Sequence, residues 1–229
     1  MTWRRRKEPA PPYQAWTQLD EHLWHTCAIL ADWVADRLHL RPRIATPAPL
    51  SQGELPLAVG HSERMTWQAV GNGTYNHTSV FAFGSPAFVL GSLAGAAVGN
   101  ASRRRAAQDA ARPRWVHSGM GYLTVTTLGF HFSHPQAGMR VHYAGLDSID
   151  LIAPDLCQVA FHDQFDNRPL LAQLRTPWAS LLFVLAALST FPSHPRLVSG
   201  GWLPPGFMIR CAQLGRPCPL PPSLLPPGP

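Results

Sequence analysis

The sequence predicts an α+β fold that is mainly β: a small antiparallel barrel closed by one apolar helix towards the C-terminal end. Three observations carry that prediction. Between Met65 and Leu174, short apolar runs alternate with turn-forming clusters such as Gly71-Asn72-Gly73, His134-Pro135-Gln136-Ala137-Gly138 and Asp166-Asn167-Arg168-Pro169. The run WASLLFVLAAL, Trp178 to Leu188, follows Thr176-Pro177, a favoured N-cap and first-turn order, and stops before Pro192. Ahead of the strands, Trp16, Leu19, Leu23, Cys27, Leu30, Val34 and Leu38 recur at steps of three and four, which marks one apolar face of a helix.

Taken in order, residues 1–12 form a basic, Pro-rich arm with nothing to bury and are expected to be disordered. Residues 13–41 form the N-terminal amphipathic helix. A domain spanning 42–191 then opens on a connector, since Pro42, Pro47, Pro49, Gly53 and Pro56 punctuate residues up to 64. Strands are expected at Met65–Val70, Thr74–Phe83, Trp115–His117, Tyr122–Thr126, Phe130–Phe132, Arg140–Tyr143, Leu146–Leu151, Leu156–Phe161 and Leu170–Leu174. A long small-residue helix, about residues 86–111, is inserted among them. The closing helix follows, and the last 38 residues, 192–229, of which eleven are proline, are expected to be a disordered tail.

The inserted helix has its own signature. Ser85-Pro86 is an N-cap and first-turn pair, Gly91, Gly95 and Gly99 recur at steps of four, and Arg103, Arg104 and Arg105 end the uncharged run. The fifteen residues from Pro86 to Asn100 would span about 22 Å against a hydrocarbon core of about 30 Å, too short to cross alone. The glycine side offers a groove for close backbone approach. Packing within the domain, pairing with a second copy and insertion into a bilayer are all compatible with that pattern. The three arginines, about 100° apart on a helix, surround its circumference, so the helix leaves any apolar surroundings there.

Composition narrows the partners. The formal charge is +6, and eighteen of the nineteen basic residues are arginine, with Lys7 the single lysine. Together with 24 prolines, this is the residue usage of a GC-rich genome, so the basic balance is poor evidence for a nucleic-acid partner. Cys27, Cys157, Cys211 and Cys218 form no C-x-x-C pair, which favours reduced cytosolic thiols over a zinc knuckle or a disulfide scaffold. The basic N-terminus lacks the apolar stretch of a signal peptide, which points to a cytoplasmic protein.

No catalytic constellation emerges. There is no G-x-S-x-G elbow, because GSLAG at 91–95 has serine second and on a helix, and Gly71-x-Gly73 is a hairpin turn without the third glycine. His22 and His25 lack a third ligand, His131 and His134 flank a strand end, and Asp147 and Asp150 point to opposite faces of their strand. Neither an enzyme nor a metal or other cofactor is expected.

Residues 119–191 resemble the second half of a bacterial PH-like, GRAM-type domain. The resemblance is carried by Gly121, Leu123-Thr124-Val125-Thr126, Phe130-His131-Phe132, Tyr143, Leu146, Ile149-Asp150-Leu151 and the helix from Trp178. With the Arg103–Ala107 and Arg114-Trp115 stretches it extends over about residues 50–191, and is similar to uncharacterised actinobacterial proteins. It implies a PH-like barrel and a non-catalytic recognition role. Thr126-Thr127-Leu128-Gly129 lacks the basic residue that members often carry after that turn, so an inositol-phosphate pocket is not carried over. The expected binding surface is instead the basic helix end, Arg103, Arg104, Arg105, Arg112 and Arg114, meeting an anionic lipid surface at the inner face of the membrane or an acidic protein. The other reading is a membrane-embedded or self-assembling homo-oligomer joined through Gly91, Gly95 and Gly99.

Overall fold

The computed structural model describes residues 15–69, 102–163, 167–221 and 224. Within them the chain is α+β and mainly sheet. Seven antiparallel strands curl into a half-barrel in the order β4-β3-β2-β1-β7-β6-β5. They are β1 (Pro56–Gln68), β2 (Arg114–Thr126), β3 (Gly129–Ser133), β4 (Met139–His142), β5 (Leu146–Ala153), β6 (Leu156–His162) and β7 (Pro169–Arg175). β1 lies at the centre of the order and joins the two halves, pairing with β2 along its length and with β7 at Glu63–Thr66.

Two strands are longer than their sequence suggests. β1 begins at Pro56, inside the expected connector; proline suits a strand's first position, and Gly60 leaves room for the Trp178 indole, whose Nε1 donates to the Val59 carbonyl at 3.1 Å. A Cβ at Gly60 would sit 2.8 Å from Trp178 Cδ1. β2 runs unbroken through the expected gap between His117 and Tyr122, because a bulge at Ser118 absorbs Gly119, whose φ is +131°.

Among the described residues, five α-helical segments accompany the sheet: α1 (Gln18–Val34), α2 (residues 102–110), α3 (Ala179–Thr190), α4 (Pro195–Val198) and α5 (Phe207–Gln213). α1 starts at a capping box, in which Thr17 accepts from the Asp20 backbone N–H and the Asp20 carboxylate accepts from that of Thr17. It ends before Asp36, which takes φ +53°, so the expected helix to residue 41 finishes as a separate 3-10 turn at Leu38–Leu40.

α3 packs against β5 and β6 on one side and against α1 and α4 on another. Every residue from Ala179 to Ala187 is buried. An isolated barrel-capping helix would keep a solvent face along its length; Ala179–Ala187 has none because the chain beyond it returns to cover it.

That return corrects the expectation of a disordered tail for 192–229. Residues 192–221 fold over α1 and α3, with Trp202, Phe207, Cys211 and Leu220 joining the core. Proline content did not prevent this: Pro195 occupies the first turn of α4, and large apolar anchors recur between the prolines. On the α1 side, Arg210 meets Asp20 at 2.8 Å, Arg216 spans both oxygens of Glu21 and stacks over Trp16 and Trp24, and Trp24 Nε1 donates to the Pro217 carbonyl at 3.3 Å. The basic arm at 1–12 lies outside the described residues.

Candidate functional site: the end of the β1–β2 hairpin

The register of β1 and β2 places Trp67 opposite Trp115, Met65 opposite His117, Glu63 opposite Met120 and His61 opposite Tyr122. Alternation along each strand puts these eight side chains on the outer face of the half-barrel, while Thr66 and Ser118 share a hydrogen bond of 2.9 Å on the other side. The outer ladder exposes large apolar side chains, Met120 at 69%, Tyr122 at 45% and Trp67 at 44%, around a Glu63–His117 pair at 3.4 Å. At its far end the Trp67 and Trp115 rings meet edge to face at 5.4 Å. Trp115 is half-buried in that pair and takes no place in the core.

Of the predicted basic residues, Arg114 is fixed at the same end by strand register. Arg114 opens β2 opposite Gln68, Arg112 lies two residues before it, and Arg103, Arg104 and Arg105 are exposed on α2, which leads into the strand. Arg112 pairs with Asp109 at 3.4 Å, with both side chains largely exposed. A pair in that setting is worth under about 1 kcal/mol and leaves the local field positive. Between Glu63 and Asp147 the sequence contains a single acidic residue, Asp109, and from Met65 to Ser102 it contains no Lys, Arg, Asp or Glu at all. Gly91, Gly95 and Gly99, the strand expected at Thr74–Phe83 and the start of the inserted helix lie outside the described residues.

A second polar group lies within the fold. Glu54 is buried, and its carboxylate accepts from Thr126 Oγ1 at 2.7 Å, from the Ser51 N–H at 2.9 Å and from Arg140 Nη2 at 3.1 Å, with His131 Nε2 at 3.0 Å. Burial alone would raise its pKa; the hydrogen bonds from Ser51, His131 and Thr126 outweigh it and hold Glu54 at about 2. The cluster ties the 51–54 loop to the β2–β3 turn; Glu54 and His131 are buried in it, and Arg140 reaches the surface. Because the folded pKa lies below the ordinary 4.5, its contribution is present above pH 4.5 and is lost as pH falls towards 2. Glu54→Gln is expected to remove about 3 kcal/mol at neutral pH and to flatten the acid limb of a stability–pH curve in that interval. Equal acid sensitivity in the two proteins would contradict this role.

The remaining sequence candidates go separate ways. His134 Nδ1 accepts from the Gln136 and Ala137 N–H groups and so organises the β3–β4 turn, while His131 belongs to the Glu54 cluster. His22 packs edge to face on Trp178, and His25 faces Glu21. Asp147 pairs with His162, Asp150 with Arg196 and Asp155 with Arg175. Among the described residues, no group of three or more His, Cys, Asp or Glu is placed to hold a metal ion, and no helix is long and apolar enough to cross a membrane.

A cleft of about 240 Å³ opens between β4 and the β6–β7 end, lined by Arg64, Arg140, His142, Phe161 and Asp163 among others. Arg64 donates to the Ala137 carbonyl at 2.7 Å and is held in charge balance by Asp163, which weakens the cleft as an anion pocket. The hairpin end, by contrast, combines exposed aromatic surface with excess positive charge. No protein-family model, curated protein or solved structure matches the chain.

Proposed function

We propose that the half-barrel and α3 constitute a PH-like barrel serving as a non-catalytic recognition module at an anionic membrane surface on the cytoplasmic side. The observation that carries this reading is the exposed Trp67–Trp115 pair flanked by Arg112, Arg114 and the arginines of α2. Indole rings favour the headgroup layer, where an apolar body and a polar N–H are both accommodated. Each arginine near an anionic leaflet adds about 1 kcal/mol, screened within a Debye length. An acidic protein would satisfy the arginines but gives no reason for the adjacent apolar ladder of Met120, Tyr122 and Trp67. That difference favours lipid.

Sedimentation with vesicles tests the reading. The full chain is expected to pellet with phosphatidylserine-containing vesicles at low salt, to be released at high salt, and to ignore phosphatidylcholine alone. Arg112→Gln with Arg114→Gln should weaken binding by roughly thirtyfold and flatten its salt dependence, whereas Trp67→Ala with Trp115→Ala should weaken it without changing that slope. Binding indifferent to both double substitutions would remove the hairpin end from the interface. Recovery equal in neutral and anionic vesicles would remove the lipid charge from it.

A further inference from the structure

From Arg216 to Pro221 every residue of the returning chain either is proline or precedes one, in the order Arg-Pro-Cys-Pro-Leu-Pro, and the stretch belongs to no helix or strand. Proline fixes its own φ at about −65° and pushes the residue before it out of the helical region, so the segment is held extended, close to polyproline II. It is met by Trp16, which precedes the cap of α1, and by Glu21 and Trp24 in the first turns of that helix. The Arg216 guanidinium lies over both indole rings, 5.1 Å from Trp16 and 4.8 Å from Trp24, and donates from its two Nη atoms to the two Glu21 oxygens at 2.5 and 2.8 Å. Trp16 Nε1 donates to the same carboxylate at 2.7 Å and orients it, and Trp24 Nε1 donates to the Pro217 carbonyl at 3.3 Å.

We propose that Trp16, Glu21 and Trp24 form a recognition surface for an arginine-bearing, proline-rich segment of another protein, and that the chain's own Arg216 and Pro217 occupy it as a resident competitor. Each contact reads one feature of such a ligand. The paired hydrogen bonds and the stacking select a planar guanidinium over an ammonium. The Trp24 N–H reads a backbone carbonyl of the proline segment, and the indole faces receive an extended helix that is already formed and costs little entropy to hold. The contact lies at the surface: the Glu21 and Arg216 side chains keep 36% and 37% exposure and Pro217 is exposed, whereas Leu220, the segment's anchor in the core, is buried. An ion pair this exposed holds weakly, so Arg216 and Pro217 can give way to a competing segment while Leu220 stays in place. Asp20 and Arg210, paired alongside at 2.8 Å, keep α5 on α1 when they do. Because it is tethered, the resident pair competes at an effective concentration on the order of millimolar.

Titration of the full chain with a synthetic peptide, Gly-Arg-Pro-Ser-Pro-Leu-Pro capped at both ends, tests this. Arg216→Ala with Pro217→Ala removes the resident competitor, and that variant is expected to bind the peptide at least about tenfold more tightly than wild type. Lysine in place of the peptide's arginine, or Glu21→Gln added to the variant, should each cost at least about tenfold in affinity. The arginine peptide should also raise the variant's melting temperature towards that of wild type. Equal binding by variant and wild type, or a lysine peptide as good as the arginine one, would overturn the proposal. If the variant folds poorly, wild type decides: millimolar peptide should shift the indole N–H resonances of Trp16 and Trp24 and leave that of Trp202 in place, and unmoved Trp16 and Trp24 signals would overturn it. Wild-type dimers that form with concentration and are lost in Arg216→Ala would give the surface to a second copy of this chain, and would overturn it too.

Discussion

Removing residues 192–229 is expected to convert the protein into an aggregating, partly unfolded chain. Trp202, Phe207, Cys211 and Leu220 would leave the core together, and the faces of α1 and α3 beneath them would be exposed to water. The loss compares with several large-to-small substitutions made at once. Trp202 is 1% exposed, and Trp202→Ala alone should cost about 3–5 kcal/mol. At this chain length each kcal/mol moves the melting temperature by about 2–4 °C, so the single variant is measurable by calorimetry even if the truncation is too insoluble to study. A 1–191 fragment that stays soluble and melts where the full chain does would show the returning segment to be an accessory.

The second large effect is expected in α3. Leu182 has no exposed surface, with sheet on one side and helices on the other. Leu182→Asp would bury a carboxylate with no compensating cation, a penalty that competes with a whole domain stability of about 5–15 kcal/mol. The variant should show no cooperative denaturant transition. Leu182→Ala, which removes only methylene and methyl groups, should keep the transition and lower it by about 2–5 kcal/mol. If both variants unfolded like wild type, α3 would not be the central layer.

The parts of this fold that announce themselves in the sequence are those with local signals. Turn clusters bound β3 to β7 within a residue or two, and the apolar step of three and four places α1. The misses have a common physical origin, in that each depends on a partner distant in the chain. Pro56 and Gly60 look like breakers until Trp178 lies across the strand. The proline-rich end looks unable to fold until its aromatic anchors are set against α1. A clue to that was present: WASLLFVLAAL is apolar on every side, so something besides the sheet had to cover it. The arginines at 103–105, 112 and 114 were visible as a charge cluster, but their association with an exposed Trp67–Trp115 pair depends on cross-strand register, which no local pattern specifies.

The Gln68–Arg114 pair, the last rung of the β1–β2 ladder, has a consequence for how this chain tolerates change. It brings two points of the backbone that are 46 residues apart in sequence to neighbouring strands, and the sheet's own pairing energy meets the entropic cost of closing that loop. Closure entropy grows only with the logarithm of length, about 0.6 kcal/mol for each doubling. Through closure entropy alone, a change in the length of that connection should therefore cost the barrel little.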